Sequence, residues 1–305
     1  MTETFADVLA AREHAEKMSD RLWIAHLNQE NPTPTLVGWD TDLSLAIDCL
    51  NKAYAVLNEL GLKPQYDGED IRRLYVRYNP FSYHPSLVEI ADATADICVV
   101  TKGSQAAFGL AEEYPEELPD MKMVKQFMEA MGQTVREESV FSSDTVPPLT
   151  EKERLLRGGL IFEETLELIM QGFGLEVEED HSQAGSIPYT KHHLKQFSVA
   201  EVRPLSEQEF DETRLARALN EVNLYARVVD VVHAIPSEDV ILNEVMRSNM
   251  AKLWDDGKPR YRESDGKAIK PPNWKGHDIP AALKRAGWDE EDTALWPRTK
   301  KRSQG

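Results

Sequence analysis

The sequence predicts an all-α fold, and three observations predict it. Apolar residues recur at spacings of three to four along most of the chain, the period of one helix face. Clusters rich in Pro, Gly and Asp (KPQYDGED, YNPFSYHP, SSDTVPPLT) cut that pattern into pieces of helical length. Helix-start signals stand at the heads of several pieces. Ser86 with Glu89, and Thr150 with Glu153, match the S/T-x-x-E capping box. Ser237 followed by Glu238 and Asp239 puts a capping hydroxyl and two acids where a helix N-terminus favours them.

Taken in order, the spacing predicts helices over 3–18, 40–60, 86–107, 119–134, 150–172, 211–233 and 237–253. Met121, Met123, Met128 and Met131 read as core or helix-surface filler. Gly158 and Gly159 each cost about 1 kcal/mol inside a helix, which is tolerable where they let another helix approach closely. Only 190–204, TKHHLKQFSVAEVRP, reads as extended, and it predicts a small β-hairpin insertion. His192–His193 within it lacks a third ligand at zinc-like spacing and reads as ordinary surface. Residues 254–280, polar and rich in Gly and Pro, predict an irregular but packed segment, and 281–305 a C-terminal tail that frays from 296.

A weak internal repeat runs through the pattern. EIADATADICVVTKGSQAAFGL (89–110) aligns without gaps on RLARALNEVNLYARVVDVVHAI (214–235), pairing Ile90 with Leu215, Ala91 with Ala216, Ala93 with Ala218, Asp96 with Glu221 and Leu110 with Ile235. Glu89 and Asp92, however, fall on Arg214 and Arg217. If NELGL (58–62) is set on QGFGL (171–175), LNKAY (50–54) faces EETLE (163–167), and this time the acids are in the later copy. Each half has kept the acidic helix that the other lacks.

Composition restricts the function. Lys and Arg number 35 against 53 Asp and Glu, for a formal charge of −18 over 305 residues. Bulk nucleic-acid binding and binding to an anionic membrane both need a positive footprint. No apolar run approaches the ~20 residues of a membrane span. The two cysteines, Cys49 and Cys98, sit in apolar helical contexts, and the polar, acidic start MTETFADVLAAREHAEK shows no signal peptide. Both features predict a reducing, cytoplasmic setting. GxxxxGK[ST] and GxGxxG are absent, so neither a P-loop nor a Rossmann reading has support.

The acids carry the chemistry. Glu89, Asp92 and Asp96 fall at i, i+3 and i+7 on one helix face. Glu163, Glu164 and Glu167 crowd a second helix at spacings where like charges repel. Two such helices facing each other need neutralising, and hard divalent cations prefer oxygen ligands. From Arg247 to Lys275, eight Lys and Arg stand against four acids, a local positive excess suited to phosphate.

That last segment, RSNMAKLWDDGKPRYRESDGKAIKPPNW, resembles the C-terminal signature of the all-α nucleoside triphosphate pyrophosphohydrolases of the MazG superfamily. It is most similar to their phosphoribosyl-ATP pyrophosphohydrolase-like branch, at residues 248–252, 256–259, 261–262, 265–267 and 270–273. LLRGGLIFEETLELI resembles the branch's first acidic helix, EIADATADICVVTKGSQAAFGL its second, and MVKQFMEAMGQ (122–132) its opening segment. The resemblance implies a MazG-like helical bundle, here a candidate fused pseudo-dimer. Residues 1–120 would be the half carrying the ExxD helix, 121–280 the pyrophosphohydrolase-like half and 281–305 the tail.

The implied activity is Mg²⁺-dependent hydrolysis of a (d)NTP to the monophosphate and pyrophosphate, Mn²⁺ being the other candidate ion. Glu164, Glu167, Glu89 and Asp92 are the implied metal ligands. Glu163 or Asp96 would orient or deprotonate the attacking water. Asn249, Lys252, Lys258 and Arg262 would hold phosphates or base. The family order puts the EExxE helix before the ExxD helix, whereas here Glu89 and Asp92 come first. Fused duplication, permutation and loss of activity all fit that order. The alternative function is therefore a catalytically silent nucleotide sensor or assembly protein on the same fold. A homo-oligomer stays open too, should the site need a second chain.

Overall fold

The computed structural model describes residues 38–66, 69–70, 74–77, 84–110, 119–137, 150–179, 187–189, 202–204, 211–235, 240–262 and 268–288. The helix predicted over 3–18, the His192–His193 pair and the tail from 296 lie outside these residues. The described chain is mostly helical, as its periodicity predicts.

Helix α1 (Trp39–Glu59) buries Leu45, Cys49, Ala53, Val56 and Leu57, a stripe at three-to-four spacing. It leads into β1 (Leu62–Tyr66), β2 (Glu69–Asp70) and β3 (Leu74–Arg77). Helix α2 (Leu87–Phe108) starts at Ser86, whose hydroxyl accepts from the Glu89 N–H, and every residue from Thr101 to Phe108 is buried. Polar groups there find partners: Gln105 Nε2 donates to Asn220 Oδ1 at 2.6 Å. Helix α3 (Pro119–Ala130) follows, with Met121, Met128 and Met131 in the core. Helix α4 (Glu151–Glu167) opens with the predicted Thr150–Glu153 capping box and runs on as a π turn, Leu168–Gly172. Then come β4 (Glu176–Glu179), β5 (Ile187–Tyr189), β6 (Val202–Pro204), α5 (Glu212–Val232), α6 (Leu242–Met250) and α7 (Ile279–Arg285).

One arrangement occurs twice. Gly61 and Gly174 both adopt positive φ, 63° and 66°, and turn the chain from a helix into a strand, β1 in one case and β4 in the other. Strand β1 pairs antiparallel with β6, which precedes α5, while β4 pairs antiparallel with β3, which precedes α2. The first strand of each unit thus pairs with the second strand of the other. Helices α2 and α5 also end alike. Gly109 (φ 67°) and Ala234 (φ 53°) occupy aligned positions, and Leu110 and Ile235 donate to the carbonyls of Gln105 and Asp230 at 3.0 and 2.8 Å. Each helix of the pair α1, α2 packs on both α4 and α5. One cluster of buried apolar side chains extends from Leu45 to Leu283 through both units.

Two expectations are corrected. The β-hairpin insertion predicted over 190–204 is described only at Val202–Pro204, since 190–201 lie outside the described residues; there β6 pairs with β1, while β5 joins the β3–β4 sheet. The stretch from 281 does not begin a tail. Asp278 caps α7 by accepting from the Ala281 N–H, Pro280 lies in the first turn, and Ile279, Ala282 and Leu283 are buried. Burying Ile279 and Leu283 contributes roughly 1.5–3 kcal/mol each, enough to seat a two-turn helix. The helix predicted over 237–253 ends at Met250, and its predicted start at 237–239 lies outside the described residues.

Gly158 serves the close approach its sequence context predicts. A Cβ there would stand 2.4 Å from Leu62 Cδ1 and 3.0 Å from Leu57 Cδ2. Gly158→Ala gains about 1 kcal/mol of helix propensity but overpacks the contact by about 1–3 kcal/mol. Net destabilisation of about 1 kcal/mol is expected, read as a lower urea midpoint with unchanged slope.

Candidate functional site

Helix α2 presents Asp92 and Asp96, and α4, packed against it, presents Glu163, Glu164 and Glu167. The two acidic helices meet because each is built from small or apolar residues on its remaining faces. Ala91, Ala93 and Ala95 alternate with the acids on α2, and Ile161, Phe162 and Leu166 anchor α4 in the core. The carboxylates share one electrostatic field. Burial lifts the Glu164 carboxyl well above the usual carboxylate range, and the charges of Asp96, Glu167, Glu163 and Asp92 lift it further. The Asp96 carboxyl is pushed up to about 7, first by burial and then by Asp92, against the pull of Lys252 and His277. Asp92 and Glu164, from opposite halves of the chain, are thus neighbours.

Cations arrive from the C-terminal segment. Helix α6 packs on α2 and α3, with Ser248 and Asn249 buried. Lys252, just beyond its end, donates to Asn249 Oδ1 at 2.6 Å. Burial lowers the Lys252 ammonium and Lys270 adds to that, while Asp96, Glu164 and Asp92 oppose it. Trp274 donates its indole N–H to the Ser248 carbonyl at 3.1 Å, and the Lys270 ammonium sits 3.8 Å from the centre of the Trp274 ring. His277 Nε2 lies 3.1 Å from Asp92 Oδ2. The hydrogen bond to Asp92 and the charge of Asp96 raise its imidazole. Asp92 Oδ1 is buried and has no hydrogen-bond partner among the described residues.

No match was found among protein families, curated proteins or solved structures.

Of the predicted ligands, Asp92 and Glu167 are close enough to Glu164 for their charges to raise its carboxyl, as are Glu163 and Asp96. Glu89 does not join them. It is exposed in the first turn of α2, where an acid favours the helix dipole. Of the predicted phosphate contacts, Lys252 feels the charges of Asp96, Glu164 and Asp92, and Asn249 is joined to it by accepting from the Lys252 ammonium. Lys258 and Arg262 are exposed and are not among the charges that dominate these shifts. They belong to a loop folded on itself. Trp254 donates to the Ile269 carbonyl at 3.1 Å, the Arg260 guanidinium stacks 4.0 Å over the Trp254 ring, and the Tyr261 hydroxyl donates to the Met131 carbonyl. The described residues of this segment are irregular, as its composition predicts, and mostly exposed, held by these contacts.

His277 is the residue that sequence reasoning missed. It stands alone in KGHDIP, and only the N-cap Asp278 and Pro280 that follow it signal an ordered start to a helix.

As they stand, no three His, Cys, Asp or Glu side chains among the described residues converge in ion-coordinating positions. The donor set is nonetheless all carboxylate oxygen, with one buried oxygen lacking a partner, and that chemistry fits a hard divalent cation. Two aligned positions form a contrast: Glu221, aligned with Asp96, pairs with Lys52 at 2.9 Å, and Arg214, aligned with Glu89, pairs with Glu59 at 2.7 Å, so acid and base neutralise each other directly. Among the described residues no helix is long and apolar enough to cross a membrane.

Proposed function

We propose that the chain is a Mg²⁺-dependent nucleoside triphosphate pyrophosphohydrolase that cleaves a (d)NTP to the monophosphate and pyrophosphate at one composite carboxylate site. The observation that carries the reading is the shared field of Asp92, Asp96, Glu163, Glu164 and Glu167, met by Lys252 and Asn249 from the segment with the family-like signature. The crossed strand pairing of the two units supports a fused pseudo-dimer in which each half has kept complementary acids. The ion-paired aligned positions support a single surviving site.

Asp92, through Oδ1, with Glu164 and Glu167 would hold the ion. Bound Mg²⁺ or Mn²⁺ supplies charge neutralisation and a more acidic water. Asp96, beside Asp92 and within the field of Lys252, suits the role of orienting or deprotonating the attacking water. Lys252, whose ammonium burial lowers, binds a phosphate as a point charge. Asn249, held by Lys252, fixes the orientation of that contact.

Purified protein incubated with Mg²⁺ and a panel of (d)NTPs is expected to release pyrophosphate. Asp92→Asn and Glu164→Gln are each expected to abolish that release, because one comes from each half of the site. If no (d)NTP is turned over, the enzyme reading fails. The silent-sensor alternative is favoured by the lack of converged ion ligands. It predicts nucleotide-dependent thermal stabilisation with no product.

A further inference from the structure

We infer that His277 is a positioning residue that holds the Asp92 carboxylate so that Oδ1 is left for a divalent cation, an inference resting on the cation-site reading above. The two oxygens of this carboxylate are used differently. Oδ2 stands 3.1 Å from His277 Nε2, and a carboxylate oxygen that close to a ring nitrogen places a proton on Nε2 in either charge state of the ring. Oδ1 is buried without a hydrogen-bond partner among the described residues. A buried carboxylate oxygen left open in this way is costly unless something else neutralises it.

The histidine is placed from both sides. Arg247 Nη2 donates to the Gly276 carbonyl at 2.8 Å, and the Asp278 N–H donates to Glu244 Oε1 at 2.8 Å. Arg247 and Glu244 are themselves locked as a fork, with contacts of 2.6 and 3.2 Å. Arg247 also holds the Glu244 carboxyl down to about 2, so the fork stays charged at any pH of interest. Asp278 then caps α7, which is seated on α2, the helix that carries Asp92. Gly276, His277 and Asp278 are thus fixed to α6 and α7 together. A loop residue anchored in this way can orient a ligand as an outer-shell partner does.

The test is Mn²⁺ binding to the full-length protein at neutral pH, read by the electron paramagnetic resonance of free Mn²⁺, with turnover measured in parallel. His277→Ala is expected to weaken Mn²⁺ binding roughly 10–100-fold. His277→Gln, which keeps an N–H donor without the charge, is expected to recover most of the loss. Arg247→Ala, which frees the loop without touching the acids, is expected to weaken binding in the same direction. Equal Mn²⁺ affinity in wild type and His277→Ala overturns the inference and leaves the cation-site reading standing. Equal loss in Ala and Gln variants also overturns it, since charge and not orientation would then be at work. If His277→Ala fails to fold, Gln and Arg247→Ala decide: wild-type affinity in Gln with weakened affinity in Arg247→Ala supports the inference, and any other pair of results overturns it. If wild type binds no Mn²⁺, the inference falls together with the proposed function.

Discussion

Asp96→Asn is expected to stabilise the protein while abolishing the pyrophosphate release proposed for it. In the folded state burial and Asp92 push the Asp96 carboxyl up to about 7, whereas an unfolded chain leaves it near 3.9. A carboxyl with a raised folded value binds its proton more tightly when folded, so folding is favoured below about pH 4. That advantage shrinks as pH climbs from there to about 7, where the group ionises among its neighbours. Above pH 7 the wild type carries the full penalty. A three-unit difference corresponds to about 4 kcal/mol, and partial solvent access at Asp96 reduces it to on the order of 2–4 kcal/mol. Urea unfolding in EDTA should therefore show Asp96→Asn ahead of wild type at pH 8 and level with it near pH 4. Glu164→Gln should move in the same direction, because its carboxyl is lifted by burial and by the same neighbours. Adding Mg²⁺ should raise the wild type and close the gap. A variant that is less stable than wild type at pH 8 in EDTA would show that the acids are not crowded and would remove the reason for an ion. Stability given up at a site in return for chemistry is common among enzymes.

The crowding is also what made the site legible. Acids at helix-face spacing inside apolar stretches are conspicuous, and the local period that displays them also predicts their helices. The capping pairs at Ser86 and Thr150 lie within four residues of the helices they start, so they too could be read from the chain. Most of the strands could not. β2 has two residues, too few to show a period, and although β6 lies in the stretch 190–204 read as extended, its pairing partner Leu62–Tyr66 is far away in sequence. His277 was hidden for the same reason: its role is a contact with Asp92, far away in sequence, and the residues beside it give no hint of that. Lys258 and Arg262 show the limit of reading along the chain. They lie in the most family-like stretch, yet they are exposed in a loop closed by Trp254 and Arg260. Resemblance along the chain identified the segment, while burial decided which of its cations reach the acids.

The repeat also explains a polar pair in the middle of the core, and the pair gives the other large expected effect. His233 and Asp42 are both fully buried, with Nε2 3.1 Å from Asp42 Oδ1 and Nδ1 2.8 Å from the Val229 carbonyl. A carbonyl only accepts, so Nδ1 carries a proton, and a second proton lies between Nε2 and Asp42. The pair joins α1 to the end of α5 and sits 5.9 Å, ring to ring, from Phe173. In the other unit the position aligned with His233 is Phe108, also fully buried. The bundle thus accommodates an apolar ring at the same place when no acid faces it. His233→Phe alone leaves a buried Asp42 without its proton partner, and Asp42→Leu alone leaves the imidazole. Each is expected to cost about 3–5 kcal/mol, as breaking one side of a buried pair does. The double variant Asp42→Leu/His233→Phe removes both polar partners and is expected to return to within about 1 kcal/mol of wild type, since apolar replacement of a buried pair is often neutral or stabilising. Urea midpoints for the four proteins complete a double-mutant cycle. Additive losses in the double variant would mean that the two side chains act independently, and the aligned Phe108 would then be no guide to what this position can hold.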